Sequence, residues 1–413
     1  MKSSQTNILT FLSIIFFGQA CLSMTFPLLT LIMFDNQSRL FAPDTSHAVR
    51  SMWYGVCISI PTFLAIFFTP LLSFLSDAFG RRKILLIEIF SAMLFTLTAA
   101  MGVIYGILGL IIVALSIQGA LTGARVNPSA SAIMADLSPK QNKVVYMGYL
   151  QFAISIGAFI GPIIAGFYAR RFLFSELNFS VPYFFAAAFA CVGGLLTWGF
   201  FHETLNLSAV SVREHLSIHA LRRLLANPNI VRISVILLLS QISWSMYYQL
   251  MPPILKTLYH FDPRQLGLFV GFIALWLALA TGIGIKLLMR FLTLRQLLLL
   301  SLYLILLGLV LTFLACLQGA WLAWIAAMPI ATGDVITFSC VTALYSDSVD
   351  PQSRGKIMGI GLIIVSLIWS LTGFIGGTVL AYSPLLPIII APIGVITAII
   401  LVHNEFGKRL IIA

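Results

Sequence analysis

The 413-residue chain is poor in charge and poorest in acid. Thirteen aspartates and glutamates stand against 24 lysines and arginines, and charged residues of both signs make up 9% of the sequence. A water-soluble domain carries roughly 25%, so most of this chain has no aqueous surface to decorate. Cysteine is equally sparse. Cys21, Cys57, Cys191, Cys316 and Cys340 fall in apolar stretches without paired spacing, which excludes a disulfide framework and reads as small apolar packing residues. There is no phosphate-binding glycine loop, no His/Glu metal motif and no nucleophile constellation. An enzyme is not expected, nor is any cofactor or metal. The formal net charge of +11 is not gathered into a basic, aromatic-interleaved stripe, so nucleic acid is not an expected partner.

What the chain does have is apolar length. Hydrophobic residues make up 60% of it, the mean hydropathy is +1.03, and uninterrupted runs recur from end to end. Each is long enough to cross a hydrocarbon core of roughly 30 Å. Strand-like alternation is missing, which leaves helices as the way to satisfy the backbone in lipid. The pattern predicts an all-α membrane protein with spans at 8–34, 53–73, 84–105, 107–135, 145–169, 181–201, 231–255, 266–288, 296–316, 320–345, 357–381 and 385–403. The string GQAC, Gly18 to Cys21, superficially suggests a lipoprotein cleavage site, but the apolar run continues past it; an uncleaved first helix is expected.

Basic residues sort by side. With the N-terminus cytoplasmic, one face collects Arg81, Arg82, Lys83, Lys140, Lys143, Arg222, Arg223, Arg290, Arg354, Lys408 and others, while the opposite face holds Arg39, Arg50, Arg170, Arg171, Lys256 and Arg264. The asymmetry predicts both termini in the cytoplasm. The longest polar stretch, about His202 to Arg232, contains the amphipathic VREHLSIHALRRLLANP, suited to the cytoplasmic membrane surface. It divides the chain into an N-terminal six-helix bundle (1–201), a linker (202–230) and a C-terminal six-helix bundle (231–413).

The two halves repeat. IMADLSPKQNKVVYMG, Ile133 to Gly148, matches LYSDSVDPQSRGKIMG, Leu344 to Gly359, pairing Asp136 with Asp347 and Gly148 with Gly359. GQACLSM at Gly18 matches SQISWSM at Ser240, pairing Gln19 with Gln241 and Ser23 with Ser245. Both shifts correspond to six helices, the plan of a two-bundle secondary transporter.

Three stretches carry a resemblance over essentially the whole chain. SFLSDAFGRRK, Ser73 to Lys83, is similar to the loop motif G-x-x-x-D-R-x-G-R-R/K of the major facilitator superfamily; Asp77, Gly80, Arg81 and Arg82 match, while Ser73 and Ala78 depart. GAFIGPIIAG, Gly157 to Gly166, is similar to the antiporter motif G-x-x-x-G-P-x-x-G-G, with Ala165 departing. HETL, His202 to Leu205, resembles the exit from the first half. Together they resemble the drug:proton antiporter branch, which includes the tetracycline-type efflux pumps. The resemblance implies a twelve-helix, two-bundle fold that is by default monomeric. It implies proton-coupled efflux by alternating access from a bacterial inner membrane. It also implies a cytoplasmic latch in which Arg81 or Arg82 reaches Asp136. The physical reasons stand beside it. Gly80 permits a tight reversal, and Asp77 can accept from a helix N-terminus or an arginine. Gly157 and Gly161 form a small face for close helix approach, and Pro162 bends its helix. Gly267 and Gly271 in span eight share that spacing, making span eight a candidate partner in a gating interface.

Charges inside spans matter most. Arg125 in span four lies eleven residues from its marker Asp136, and Asp334 in span ten lies thirteen from Asp347, depths of roughly 16 and 20 Å. A charge there costs on the order of 2.5–3.5 kcal/mol on insertion scales. The resemblance places spans one, four, seven and ten around a central cavity. Gln118, Thr122, Arg125 and Ser129 recur at helical spacing on span four, and Asp334 and Thr337 share a face on span ten. Gln19 and Ser23, with Gln241, Ser245 and Gln249, complete a polar lining to which Trp244, Tyr247 and Tyr248 add aromatic surface. The expectation is that Arg125 and Asp334 face each other across the cavity and couple transport to protons; a purely structural ion pair is one rival, and binding of an anionic substrate group by Arg125 is another. Glu88, five residues past Lys83, is expected to snorkel to the cytoplasmic edge or to pair with the arginine cluster, with no role in coupling. Import of a nutrient or metal chelate on the same fold is the alternative function.

Overall fold

The computed structural model describes residues 2–35, 37–122, 130–138, 143–169, 179–204, 227–349 and 354–406. Among them every regular element is helical. The first set is α1 (Lys2–Phe34), α2 (His47–Phe79), α3 (Arg81–Tyr105), α4 (Leu108–Ile117), α5 (Ala130–Leu137), α6 (Lys143–Tyr168) and α7 (Val181–Gly199). The second is α8 (Pro228–Tyr259), α9 (Pro263–Leu279), α10 (Ile285–Leu288), α11 (Leu294–Gln318), α12 (Trp321–Asp347), α13 (Arg354–Tyr382) and α14 (Leu386–Phe406).

Eleven of the expected spans are present as helices long and apolar enough to cross a membrane. The fourth is represented by Leu108–Thr122 and Ala130–Leu137, on either side of residues outside the described set. At 33 residues each, α1 and α2 run about 50 Å, longer than the hydrocarbon core, so their ends extend beyond it. Large apolar side chains such as Phe63, Phe67, Phe90, Leu195, Trp198, Phe374, Ile393 and Ile400 are exposed. In an aqueous protein they would mark an interface, whereas on spanning helices they form the lipid-facing surface. The amphipathic stretch of the linker lies outside the described residues.

The chain divides into two compact units, residues 1–215 with 260–275, and residues 216–259 with 276–413. In the first, α1 packs along α6 and α7, and α3 along α7 and α4. In the second, α11 packs on α12, and α8 on α13 and α14. Glycine sets several of these distances. A Cβ on Gly119 would lie 2.5 Å from the Cα of Pro61, and one on Gly333 would lie 2.5 Å from the carbonyl of Ser301. Only a residue without a side chain lets those backbones meet. Arg50 ties down the loop between α1 and α2: its guanidinium donates to the carbonyls of Met33, Ala42 and Thr45 at 3.1–3.2 Å.

Candidate functional site

In the first unit, the loop motif builds a charged cluster at the junction of α2 and α3. Arg81 donates to Asp77 at 2.5 Å and, through Nε, to Asp136 at 3.1 Å, so the expected reach from Arg81 to Asp136 is present. Arg82 turns elsewhere, donating to the carbonyls of Thr197 and Trp198 at the end of α7. The α3 N-terminus is served not by Asp77 but by Glu203 of the HETL stretch, whose two carboxylate oxygens accept from the backbone N–H groups of Arg81 and Arg82 at 3.0 and 3.1 Å. A carboxylate at this position satisfies two orphan donors and meets the positive end of the helix dipole. Gly80 makes it possible. Its φ is +106°, and a Cβ there would lie 2.6 Å from Glu203 Oε2.

The span-five motif packs differently from expectation. Gly157 and Gly161 do not face span eight; they lie against α1. A Cβ on Gly157 would sit 2.7 Å from the Phe16 carbonyl, and one on Gly161 would overlap Ser23 Oγ. Ser23, expected to line the cavity, instead donates to the Gly157 carbonyl at 3.1 Å. Span eight is still a neighbour, one register further along. Gly267 abuts the Pro162 carbonyl and the backbone of Gly166, Gly271 abuts Phe159 and Ile163, and Arg264 lies over the Phe167 ring at 4.5 Å. The reason is helical phase: Pro162, Gly166 and their neighbours occupy the stripe adjacent to the one that holds Gly157 and Gly161.

Also in this unit, α4 passes into a π-helical turn at Gln118–Thr122, an irregularity that often sits at functional sites. Gln118 and Thr122 are both buried, and Thr122 Oγ1 donates to the Gln118 carbonyl at 2.6 Å. Arg125 and Ser129 lie outside the described residues. Thr122 lines a pocket of about 40 Å³ with Gly18, Gln19 and Glu88. Glu88 therefore does not snorkel to the membrane edge. It is 2% exposed, in the interior of the unit.

In the second unit, Asp334 of α12 is buried and accepts from Gln241 Nε2 of α8 at 2.8 Å. Gln241 Oε1 in turn accepts from the indole N–H of Trp369 on α13 at 3.0 Å. An indole nitrogen can only donate. It therefore fixes the amide so that its N–H points at the carboxylate. Gln249 Nε2 donates to the Trp369 carbonyl at 3.2 Å, and Ser245 and Thr372 share a 2.8 Å hydrogen bond. Tyr248 lies between Trp244 and Trp369, with ring centroids 5.3 and 5.7 Å away. Thr337, expected to share the face of Asp334, is engaged by Ser301 of α11 at 2.7 Å. Trp369 and Thr372 were absent from the sequence expectation, although a Trp-Ser-Leu-Thr stretch inside an apolar span is a visible signal. Among the described residues no His/Cys/Asp/Glu group is arranged to hold a metal.

A lipid-facing apolar shell around buried amide, indole and carboxylate chemistry defines a multi-pass membrane transport protein. Residues 8–377 match the Major Facilitator Superfamily, and the chain belongs to that superfamily. Among its relatives is the class E tetracycline resistance protein of Escherichia coli, 26% identical over 343 residues, covering 80% of this chain and 78% of that protein. The class H tetracycline resistance protein of Pasteurella multocida is 32% identical over 157 residues, covering 38% of this chain and 36% of that protein. The fold is shared with the crystal structure of a D-xylose–proton symporter, with a TM-score of 0.73 at 15% identity, covering 96% of each chain.

Proposed function

We propose that the chain exports a small amphipathic organic molecule in exchange for protons, with Asp334 as a coupling carboxylate. The observation that carries this is the Trp369–Gln241–Asp334 relay, which holds a buried acid near the middle of α12 on an amide oriented to donate. Protonation removes the charge, weakens the bond from Gln241 and leaves the acid able to donate in its turn. A change of that kind can bias one conformation over another, as alternating access requires. In this reading Arg125 supplies the positive charge to which Asp334 responds. Gln19, Gln118, Thr122, Gln241, Ser245 and Tyr248 serve as the polar and aromatic lining for substrate.

Direction is supported by the relatives, which are named for tetracycline resistance, and by the Gly157–Gly166 motif. Residues 1–201 and 231–413 act in this reading as the two moving bundles, joined by a linker. Asp77, Gly80, Arg81, Arg82 and Asp136 form the cytoplasmic latch, and Pro162 and Gly166, against Gly267, belong to the gate, while Gly157 and Gly161 seat α6 on α1. We place the protein as a monomer in a bacterial inner membrane, both termini cytoplasmic. The test is labelled tetracycline in a strain stripped of its own exporters. Accumulation lowered by the protein supports export, accumulation raised by it identifies an importer, and accumulation that does not change removes tetracycline as the cargo.

A further inference from the structure

We infer that the hairpin joining α10 to α11, in the second unit, binds the headgroup of an anionic phospholipid through Lys286, Arg290 and Arg295. The inference goes beyond the export reading and takes from it only the leaflet, which follows the proposed cytoplasmic termini.

The hairpin is a run of cations with no acid to balance it. No Asp or Glu occurs between Asp262 and Asp334, while Lys286, Arg290 and Arg295 fall within ten consecutive residues. Among the described residues none of the three is in an ion pair. The hairpin at the same place in the first half is balanced internally. There Arg81 pairs with Asp77 and Asp136, and Glu203 accepts from the start of α3. The first turn of α11 holds no acidic residue. Its cap is neutral: Gln296 Oε1 accepts from the Thr293 backbone N–H at 2.9 Å, and Thr293 Oγ1 from that of Gln296 at 3.4 Å. Arg295 itself sits in that turn, where a cation opposes the helix dipole.

The backbone brings the cations together. Met289 N–H donates to the Ile285 carbonyl at 2.9 Å and Arg290 N–H to that of Leu287 at 3.3 Å, so the turn continues α10. Lys286 and Arg290, four apart on it, share a face, and both are exposed. Arg295 is half-buried, and its Nε is enclosed with no hydrogen-bond partner among the described residues. One edge of that guanidinium has left water and gained no acceptor, which costs free energy. A phosphate oxygen on its other N–H groups supplies a charge-assisted bond.

The apolar neighbours decide which phosphate. Ile283, Leu287, Met289 and Phe291 are 50–78% exposed, and the span Pro263–Leu288 ends at this hairpin, the level at which hydrocarbon gives way to headgroups. A free phosphate makes no use of these side chains, whereas a lipid presents phosphate and hydrocarbon together. Basic pockets at this level suit anionic headgroups. A zwitterionic lipid brings an ammonium group that three unpaired cations repel.

The test is native mass spectrometry of the purified full chain in detergent, titrated with phosphatidylglycerol or phosphatidylcholine. The wild type should take up phosphatidylglycerol in preference. Lys286→Gln/Arg290→Gln/Arg295→Gln should weaken that binding about tenfold or more. Arg222→Gln/Arg223→Gln/Lys408→Gln removes as much charge from residues that the sequence places on the same membrane face, and should leave the preference in place. Equal weakening in the two triple variants overturns the inference, because it reports general attraction to a basic face; so does unchanged binding in the hairpin variant. If the hairpin variant does not fold, Lys286→Gln/Arg290→Gln decides, since both positions are exposed: weaker phosphatidylglycerol binding supports the site, and unchanged binding overturns it. Inorganic phosphate should displace the lipid no better than sodium chloride of equal ionic strength. Stronger displacement would make this a free-anion site and overturn the lipid assignment.

Discussion

Gly80 and Glu203 show how much a single position can carry. The positive φ of Gly80 turns the chain between α2 and α3, and the space left by its missing side chain admits a carboxylate from 123 residues further along (203 minus 80). Removing that carboxylate by Glu203→Ala should cost about 1 kcal/mol, typical of a lost helix cap, and appear as a lower thermal midpoint in detergent. Glu203→Gln should retain part of it, since one amide oxygen can still accept. Equal midpoints for wild type and Glu203→Ala would show that the cap is not stabilising. The sequence reveals Gly80 and Arg81 through their spacing, but not Glu203. A capping residue this remote has no periodic signature, and HETL reads as a connector. Asp334 is visible for the opposite reason, being an acid in an apolar run; Trp369, which orients its donor Gln241, depends on packing between helices. The snorkelling expected of Glu88 fails against its burial, because counting residues from Lys83 measures depth along a helix and leaves open which face a side chain occupies.

Among elements, α6 is a helix with two glycine faces. Gly157 and Gly161 seat it on α1, while Gly166 brings it against Gly267 at the start of α9. Small-residue spacing identified close approach correctly but could not choose among neighbours, because neighbouring stripes of one helix differ by only a fraction of a turn. The two contacts make separable predictions. Gly157→Val would push apart α1 and α6, which form one of the most extensive helix pairs of the unit, and should lower the thermal midpoint and the folded yield. Gly267→Val would meet the Pro162 carbonyl and the Gly166 backbone; it should spare folding more and depress transport, read as cellular tetracycline retention. Transport at the wild-type level in Gly267→Val would remove that contact from the gate. The π-helical turn at Gln118–Thr122 was read as ordinary helix, since an extra residue in one turn leaves no compositional mark.

For the whole molecule, length and hydropathy were enough for an all-α membrane fold, while the internal repeat predicted two six-helix halves; the two compact units observed divide within α9 rather than between those halves. Both readings depend on the bilayer rather than on detailed packing, which is why they can be made without coordinates. The repeat also has a local echo: its paired markers Asp136 and Asp347 both fall at the C-terminal ends of helices. The proposed orientation, with both termini cytoplasmic, rests on the lysines and arginines and is open to a direct check. Green fluorescent protein fused after Ala413 should be fluorescent and alkaline phosphatase at the same position inactive; active phosphatase would place the C-terminus outside.

Proton-coupled export through Asp334 is tested most directly in proteoliposomes of the purified chain, with an imposed acid-inside pH gradient and tetracycline outside. The wild type should concentrate tetracycline inside and lose the accumulated pool on addition of a protonophore. Asp334→Asn should equilibrate it downhill but concentrate it at least about tenfold less, a difference of about 1.4 kcal/mol in driving force captured. Accumulation indifferent to the gradient, or Asp334→Asn concentrating tetracycline as well as the wild type, would contradict the account.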